Sequence, residues 1–229
     1  MCKNILVSIY SHPEMYPPTL NAIHELAGMF DKVIVLYRNS LFNDWVYPDN
    51  VVLIPYGMPM SIREQEQLST VQKIVAFTGF AIKQFKAVLK YQPAQILLYD
   101  SIALYSYHLI RNFLRERFVW YHSHDVPEAD SVRKFSIAWF SFRGEKKSFS
   151  YIDIFTLPAK ERLQYFPMKK LKGRYFTIAN YPLLTFYKKF YSTKQITQTI
   201  RLIYQGHISE MHGLEQVIEL LPKKISYKK

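Results

Sequence analysis

Four consecutive residues, His122-Ser123-His124-Asp125, bring together side chains able to move a proton or orient an oxygen. An imidazole changes charge near neutral pH and can donate a hydrogen bond to an oxygen that gains charge. His122 and His124 are two apart, so on an extended strand they share a face. A histidine pair also suggests a metal. The metallohydrolase pattern His-x-His-x-Asp-His is broken here, because Val126 and Pro127 stand where its acid and last histidine belong. Two histidines alone do not make a zinc site, and the single cysteine, Cys2, adds neither a disulfide framework nor a thiolate cluster. The expectation is no metal and no cofactor. Two further candidates follow other apolar runs: Asp100, and His12 in Ser11-His12-Pro13-Glu14. Each candidate has a plainer alternative. Asp100 and Asp125 suit helix N-caps. His12 suits a rigid turn, and His124 suits a loop histidine with satisfied nitrogens.

The surrounding elements must bring these side chains together. Short apolar runs at residues 5–10, 33–37, 51–55, 95–99, 118–122, 152–157 and 174–178 read as strands. Pro17-Pro18-Thr19 opens a helix with Leu20, Ile23, Leu26, Ala27 and Phe30 along one side. Residues 69–91 predict a long helix whose 3.6-residue stripe is Val71, Ile74, Val75, Thr78, Ile82, Phe85, Val88 and Leu89. That stripe reads as its packing face, and Gln92-Pro93 closes the helix. Further helices are expected over 103–115, 131–150 and 160–166. Strands alternating with helices predict the α/β class: a Rossmann-like parallel sheet with helices on both faces. Ligands of such sheets bind at the carboxyl ends of the strands. Ser11-His12, Asp100 and residues 122–125 should therefore line one edge.

The same pattern organises the chain. Residues 1–182 read as one domain and the polar, basic stretch 183–200 as a linker. Residues 201–229 read as the first strand and helix of a second α/β unit, too short to form a core alone. The expectation is a shortened chain or an interrupted reading frame.

With 49% hydrophobic and 16% aromatic residues, the 229-residue chain can bury a core, which excludes disorder. The glycine-rich phosphate fingerprints are absent. No apolar run approaches the roughly 20 residues needed to cross a bilayer, so the expected location is cytoplasmic. The formal charge is +12 and is uneven, with +10 of it in residues 160–229. There, Lys169-Lys170-Leu171-Lys172-Gly173-Arg174-Tyr175-Phe176 and Tyr187-Lys188-Lys189-Phe190-Tyr191 mix cations with aromatics. A solvated basic face and a peripheral contact with an anionic membrane at its inner face both fit. A nucleic-acid partner is not expected, because no recognition motif accompanies the charge.

An ordered set of segments resembles the family 4-like glycosyltransferases of the GT-B fold. Residues 201–221, RLIYQGHISEMHGLEQVIELL, resemble the strand, loop and helix that open the donor domain. Residues 119–125, VWYHSHD, resemble the fifth-strand segment that ends in a histidine. Residues 151–163, YIDIFTLPAKERL, resemble the segment where a strand leads into a Ser-x-x-x-x-x-Leu-like helix, and 176–182, FTIANYP, the Pro-Asn-Gly segment that leads to the interdomain linker. The resemblance implies an acceptor-binding N-terminal domain and a C-terminal domain that binds a nucleotide-sugar. A hexose would move with retention to a glycan or lipid-linked acceptor, in surface polysaccharide or glycoconjugate synthesis. By the resemblance His124 matches the cleft histidine beside the transferred sugar. His12, Asp100, His122 and Asp125 would then lie on the acceptor side. Gly206 matches the glycine that approaches the donor diphosphate. His207 and His212 stand where the family carries a basic pair, and neutral histidine is the weaker phosphate partner. The paired glutamates of the donor domain do not occur in the chain, so it is expected to be inactive alone. The alternative expectation is a non-catalytic Rossmann-like module that binds a glycan, a lipid or a partner protein.

Overall fold

The central apolar runs become strands because they are rich in Val, Ile, Leu and Tyr and are covered on both sides. The computed structural model describes residues 4–41, 45–126 and 132–180, with isolated positions beyond them. The chain divides into two compact units, Met1–Lys189 and Phe190–Lys229. The fold described is that of the first. The expected linker 183–200 and the expected strand and helix of 201–229 lie outside the described residues, isolated positions apart.

Seven strands form one sheet: β1 (Asn4–Ile9), β2 (Lys32–Arg38), β3 (Val51–Tyr56), β4 (Gln95–Tyr99), β5 (Phe118–His122), β6 (Ile154–Leu157) and β7 (Arg174–Thr177). Their order is β3-β2-β1-β4-β5-β6-β7, and every neighbouring pair is parallel. The chain winds outward from β1 to β3, then returns to β4 on the other side of β1. The switch point where ligands of such sheets bind therefore lies between β1 and β4. Register aligns the carboxyl ends. Ile9 stands opposite Tyr99, Tyr99 opposite His122, and His122 opposite Thr156.

Strand alternation splits the core in two. Leu6, Ile34, Leu36, Ile96, Leu98 and Tyr121 point to one face with Phe80, Val88, Leu104 and Phe149. Ile5, Val7, Ile9, Val33, Val35, Leu97 and Tyr99 point to the other with Ile23 and Leu26. Helix α1 (Pro17–Met29) covers the second face. The first is covered by α3 (Thr70–Tyr91) and α4 (Asp100–Ile110), with α5 (Ile137–Ser148) packed on α4. The expected doubly covered Rossmann-like sheet is thus the observed one. The outer strands are managed as edges: β3 carries Pro55, and β7 is exposed and flanked by cations.

Local chemistry sets several boundaries. Ser69 caps α3 in a box with Gln72, and Ser61 does the same with Glu64 for a short α2 (Ile62–Gln67) that periodicity did not reveal. Gln92 closes α3 in the left-handed conformation at φ 44°, just before Pro93. Residues 160–166, expected as a helix, form only a 3-10 segment (Lys160–Tyr165) between Pro158 and Pro167.

The expected core face of α3 is corrected. Val71, Ile74, Val75, Thr78, Ile82 and Leu89 face outward; of the stripe only Val88 is buried and Phe85 half-buried. The inward face is Phe77, Phe80, Ala81, Gln84, Ala87 and Val88. Its polar member fixes the rotation. Gln84 is fully buried, donates to Ser8 Oγ on β1 at 2.9 Å and accepts from Ser106 Oγ on α4 at 2.8 Å. Turning α3 to bury the smoother stripe would take that partner from Ser8 and leave Ser106 only its bond to the Ala103 carbonyl, and an unmatched buried polar group costs about 1–3 kcal/mol. Phe80→Ala is expected to cost about 3–5 kcal/mol, while Ile82→Gln stays within about 0.5 kcal/mol of the parent. Urea unfolding of the two variants reads which face of α3 is inward, and equal losses would contradict the observed rotation.

Candidate functional site

The site grows from the carboxyl ends of β1, β4 and β5. Asp100 is the first residue of α4 and sits at φ 61°, a conformation uncommon for a residue with a side chain. Its carboxylate does not cap α4. Instead Oδ1 accepts the backbone N–H of His124 and Oδ2 accepts ring Nδ1–H, both at 2.9 Å. The expected cap is therefore corrected: both oxygens reach the neighbouring strand's loop. With Nδ1 donating to a carboxylate, Nε2 is left to accept from Thr19 Oγ1 on α1, 3.0 Å away. The ring is also stacked between Tyr16 and Tyr99, with centroids 4.9 and 4.8 Å away. His124 is 4% exposed and partnered at both nitrogens.

His122 takes a different place. Its Nδ1 lies 2.9 Å from Thr156 Oγ1 on β6, and Nε2 is buried with no hydrogen-bond partner among the described residues. Burial, reinforced by neighbouring His124, lowers its pKa to about 4, so the ring is neutral near pH 7. The rings of His122 and His124 meet edge to face at 4.9 Å. They do not present free nitrogens to a common ion, since both of His124's are engaged. Among the described residues no group of three or more ligating side chains could hold a metal.

His12 caps the short turn Pro13–Met15 and packs edge-on against Tyr37, at 4.9 Å, toward β2. Asp125 does not cap the next described helix, which begins after Ser136. It pairs with Arg162 at 3.2 Å, and the same guanidinium donates to the His124 carbonyl. The three expected residues Asp100, His124 and Asp125 thus meet. His122 touches them through its ring, and His12 lies on the β2 side. Gly206, His207 and His212 lie outside the described residues.

Sequence reading missed Glu145. Gly144 allows its position: a Cβ there would stand 2.2 Å from the Tyr105 ring, so only glycine lets α5 press onto α4. Ser101 and Ser141 join across that contact at 3.1 Å. Glu145 is then 7% exposed and accepts a short hydrogen bond from Tyr121 Oη on β5. Burial raises its carboxyl to about 7, so it can donate as well as accept near neutral pH. Two cavities adjoin here. One of about 200 Å³ is lined by Tyr16, Asp100, Tyr121, Ser123, His124 and Glu145. A larger one of about 790 Å³ is lined by Trp139, Phe142, Arg143, Lys146, Arg162 and Tyr165, among others. Asp125, Phe142 and Glu145 belong to both. Such a lining, aromatic faces with a few cations and carboxylates, suits a polyhydroxylated or anionic ligand. A single acid in a helix carries no sequence signal of this role.

No family model matches the chain, and no curated protein matches it. Two solved structures of sucrose-phosphate synthase from Thermosynechococcus elongatus are similar to it. One gives a TM-score of 0.56 at 12% identity, covering 82% of this chain and 52% of that one. The other gives 0.52 at 13% identity, covering 82% and 93%. The chain spans about half the length of the longer of these structures. The likeness establishes a shared Rossmann-like α/β fold.

The two buried titrating groups act on stability in opposite directions. The folded state holds His122 neutral down to about pH 4, so its contribution is present above about 6.5 and is lost as pH falls between those values. It holds Glu145 protonated up to about 7, so that contribution is present below about 4.5 and is lost as pH rises toward 7. Each is on the order of 3 kcal/mol. Urea unfolding from about pH 4 to 8 should show Glu145→Gln losing less stability than the parent toward the alkaline end. Parallel curves would contradict the buried, protonated carboxyl.

Proposed function

We propose that the chain supplies the acceptor half of a retaining GT-B glycosyltransferase of the family 4-like kind. The observation that carries this reading is the Asp100–His124–Thr19 arrangement at the switch point, on the wall of a cavity that adjoins a larger, cation-bearing one. Transfer from a nucleotide diphosphate needs positioning and charge stabilisation more than covalent help. In the proposed step, the bond between the anomeric carbon and the diphosphate oxygen breaks. The acceptor oxygen bonds to that carbon on the same face, and its proton leaves with the diphosphate. The residues of this half have distinct tasks. Asp100 and Thr19 fix the His124 ring, and His124 faces the transferred sugar. Glu145, half protonated near pH 7, holds an acceptor hydroxyl. Arg143, Lys146 and Arg162 draw an anionic or lipid-linked acceptor into the larger cavity. Gly206, His207 and His212 belong to the donor side. The product would enter a surface polysaccharide or another glycoconjugate.

A second reading rests on one observation: His124 is buried with both ring nitrogens already bonded, as a purely structural histidine would be. Under it the domain binds a glycan, a lipid or a partner protein without catalysis.

The test is transfer of radiolabelled sugar from a panel of uridine and guanosine diphosphate-sugars to soluble and lipid-linked acceptors. Residues 1–229 alone should show no turnover, and the chain joined to a GT-B donor domain should show it. His124→Ala in the joined protein should lower kcat/KM at least about a hundredfold. Turnover by residues 1–229 alone would overturn the division of labour. Glycan binding that persists in a joined protein without transfer would favour the binding module.

A further inference from the structure

The charge of the larger cavity turns on one proton. Three cations line it, Arg143, Lys146 and Arg162, together with the carboxyl groups of Asp125, Glu145 and Glu161. Asp125 pairs with Arg162. Arg143 and Lys146 are three apart on α5 and so share a side of the helix. Neither has an ion pair among the described residues. With Glu145 protonated, the cations outnumber the charged carboxylates by one; with Glu145 ionised, the two balance.

The geometry shapes the partner for that surplus. The Arg143 guanidinium lies over the Trp139 ring, 3.9 Å from its centroid. An arginine held flat in this way offers two parallel N–H groups to one carboxylate or phosphate. Trp139, Tyr165 and Phe166 supply ring faces for the apolar side of a sugar. An anion held by Arg143 and Lys146 shares its cavity with Glu145, and a second negative charge there would oppose it.

The groups around Glu145 decide its form. Burial is the largest influence and favours the neutral carboxyl. The hydrogen bond from Tyr121 on β5 acts against it, Asp100 at the start of α4 acts with it, and Lys146 on α5 acts against it. The carboxyl is held at about 7. His124 and Tyr16 line the small cavity with it, and Asp125, Arg143, Glu161 and Arg162 line the larger one.

We infer that the larger cavity binds an anionic sugar, one bearing a carboxylate or a phosphate, together with a proton that Glu145 carries. The anionic group bonds to Arg143 and Lys146, and an ionised Glu145 takes its proton from solvent as the ligand enters. The inference deepens the acceptor reading of the same cavity and rests on it only in calling the ligand an acceptor. Binding and proton uptake need no transfer.

The experiment is titration calorimetry of the full chain with glucuronate, glucose 1-phosphate and glucose at about pH 6 and about pH 8. Glucuronate is the main probe, because its carboxylate stays charged over that range while a phosphate monoester titrates near 6. Glucuronate should bind about five- to tenfold more weakly at about pH 8. At about pH 7.5 its binding should take up about half a proton, read from buffers of different ionisation enthalpy. Glucose should bind at least about tenfold more weakly than the anions at about pH 6. Glu145→Gln, permanently neutral, should abolish the uptake and bind at about pH 8 as the parent does at about pH 6. Arg143→Gln with Lys146→Gln should weaken binding at least about tenfold and leave circular dichroism unchanged, because both side chains are exposed. The tighter anion at about pH 8, where both are fully charged, names the ligand group. Equal binding of glucose, no binding of either anion, or a pH dependence that Glu145→Gln retains overturns the inference. Transfer by the joined protein without proton-linked binding defeats the inference alone. Proton-linked binding without transfer upholds it and defeats only the acceptor reading.

Discussion

The carboxylate of Asp100 is the contact around which the carboxyl edge is arranged. One oxygen holds the backbone of the β5 loop and the other holds the ring of His124. With Nδ1 occupied, the tautomer is set and Nε2 turns to Thr19. Three strand ends, after β1, β4 and β5, are thereby tied across the switch point of the sheet. The φ of 61° at Asp100 is the conformational cost of aiming that carboxylate sideways instead of along its own helix.

A second layer supports this arrangement from the opposite side of the strands. Tyr121 and His122 alternate on β5, so the first points to the face covered by α4 and α5 while the second points to the Tyr99 side. Tyr121 meets Glu145 only because Gly144 lets α5 come close to Tyr105. The result is a protonatable carboxyl and a fixed imidazole bordering one small cavity. Their environments push the two sets of groups in different directions: His122 is kept neutral and Glu145 is kept protonated well above the usual carboxyl range.

Helix α3 shows how a buried polar residue can outrank an apolar stripe. The outward stripe is the smoother one by hydrophobicity. The inward face includes the polar Gln84, yet it completes hydrogen bonds to Ser8 on β1 and Ser106 on α4. Packing and polar satisfaction decide together, and the leftover apolar face becomes available to a partner.

The sequence by itself determined the sheet. Runs such as residues 33–37 and 96–99 are apolar at every position, and such runs suit strands covered on both faces. Alternation with helices then required parallel pairing, which put Asp100 and His124 at one edge before any contact was known. The helix start at Ser69 and stop before Pro93 were also legible, because capping and proline chemistry are local. The tertiary structure alone decided the rotation of α3, the engagement of Asp100 with His124, the partnership of Thr19, and the arrival of Glu145 beside Tyr121. Each joins residues far apart in the chain. Periodicity reports that a helix has an apolar face, but it carries no information about which neighbour that face meets.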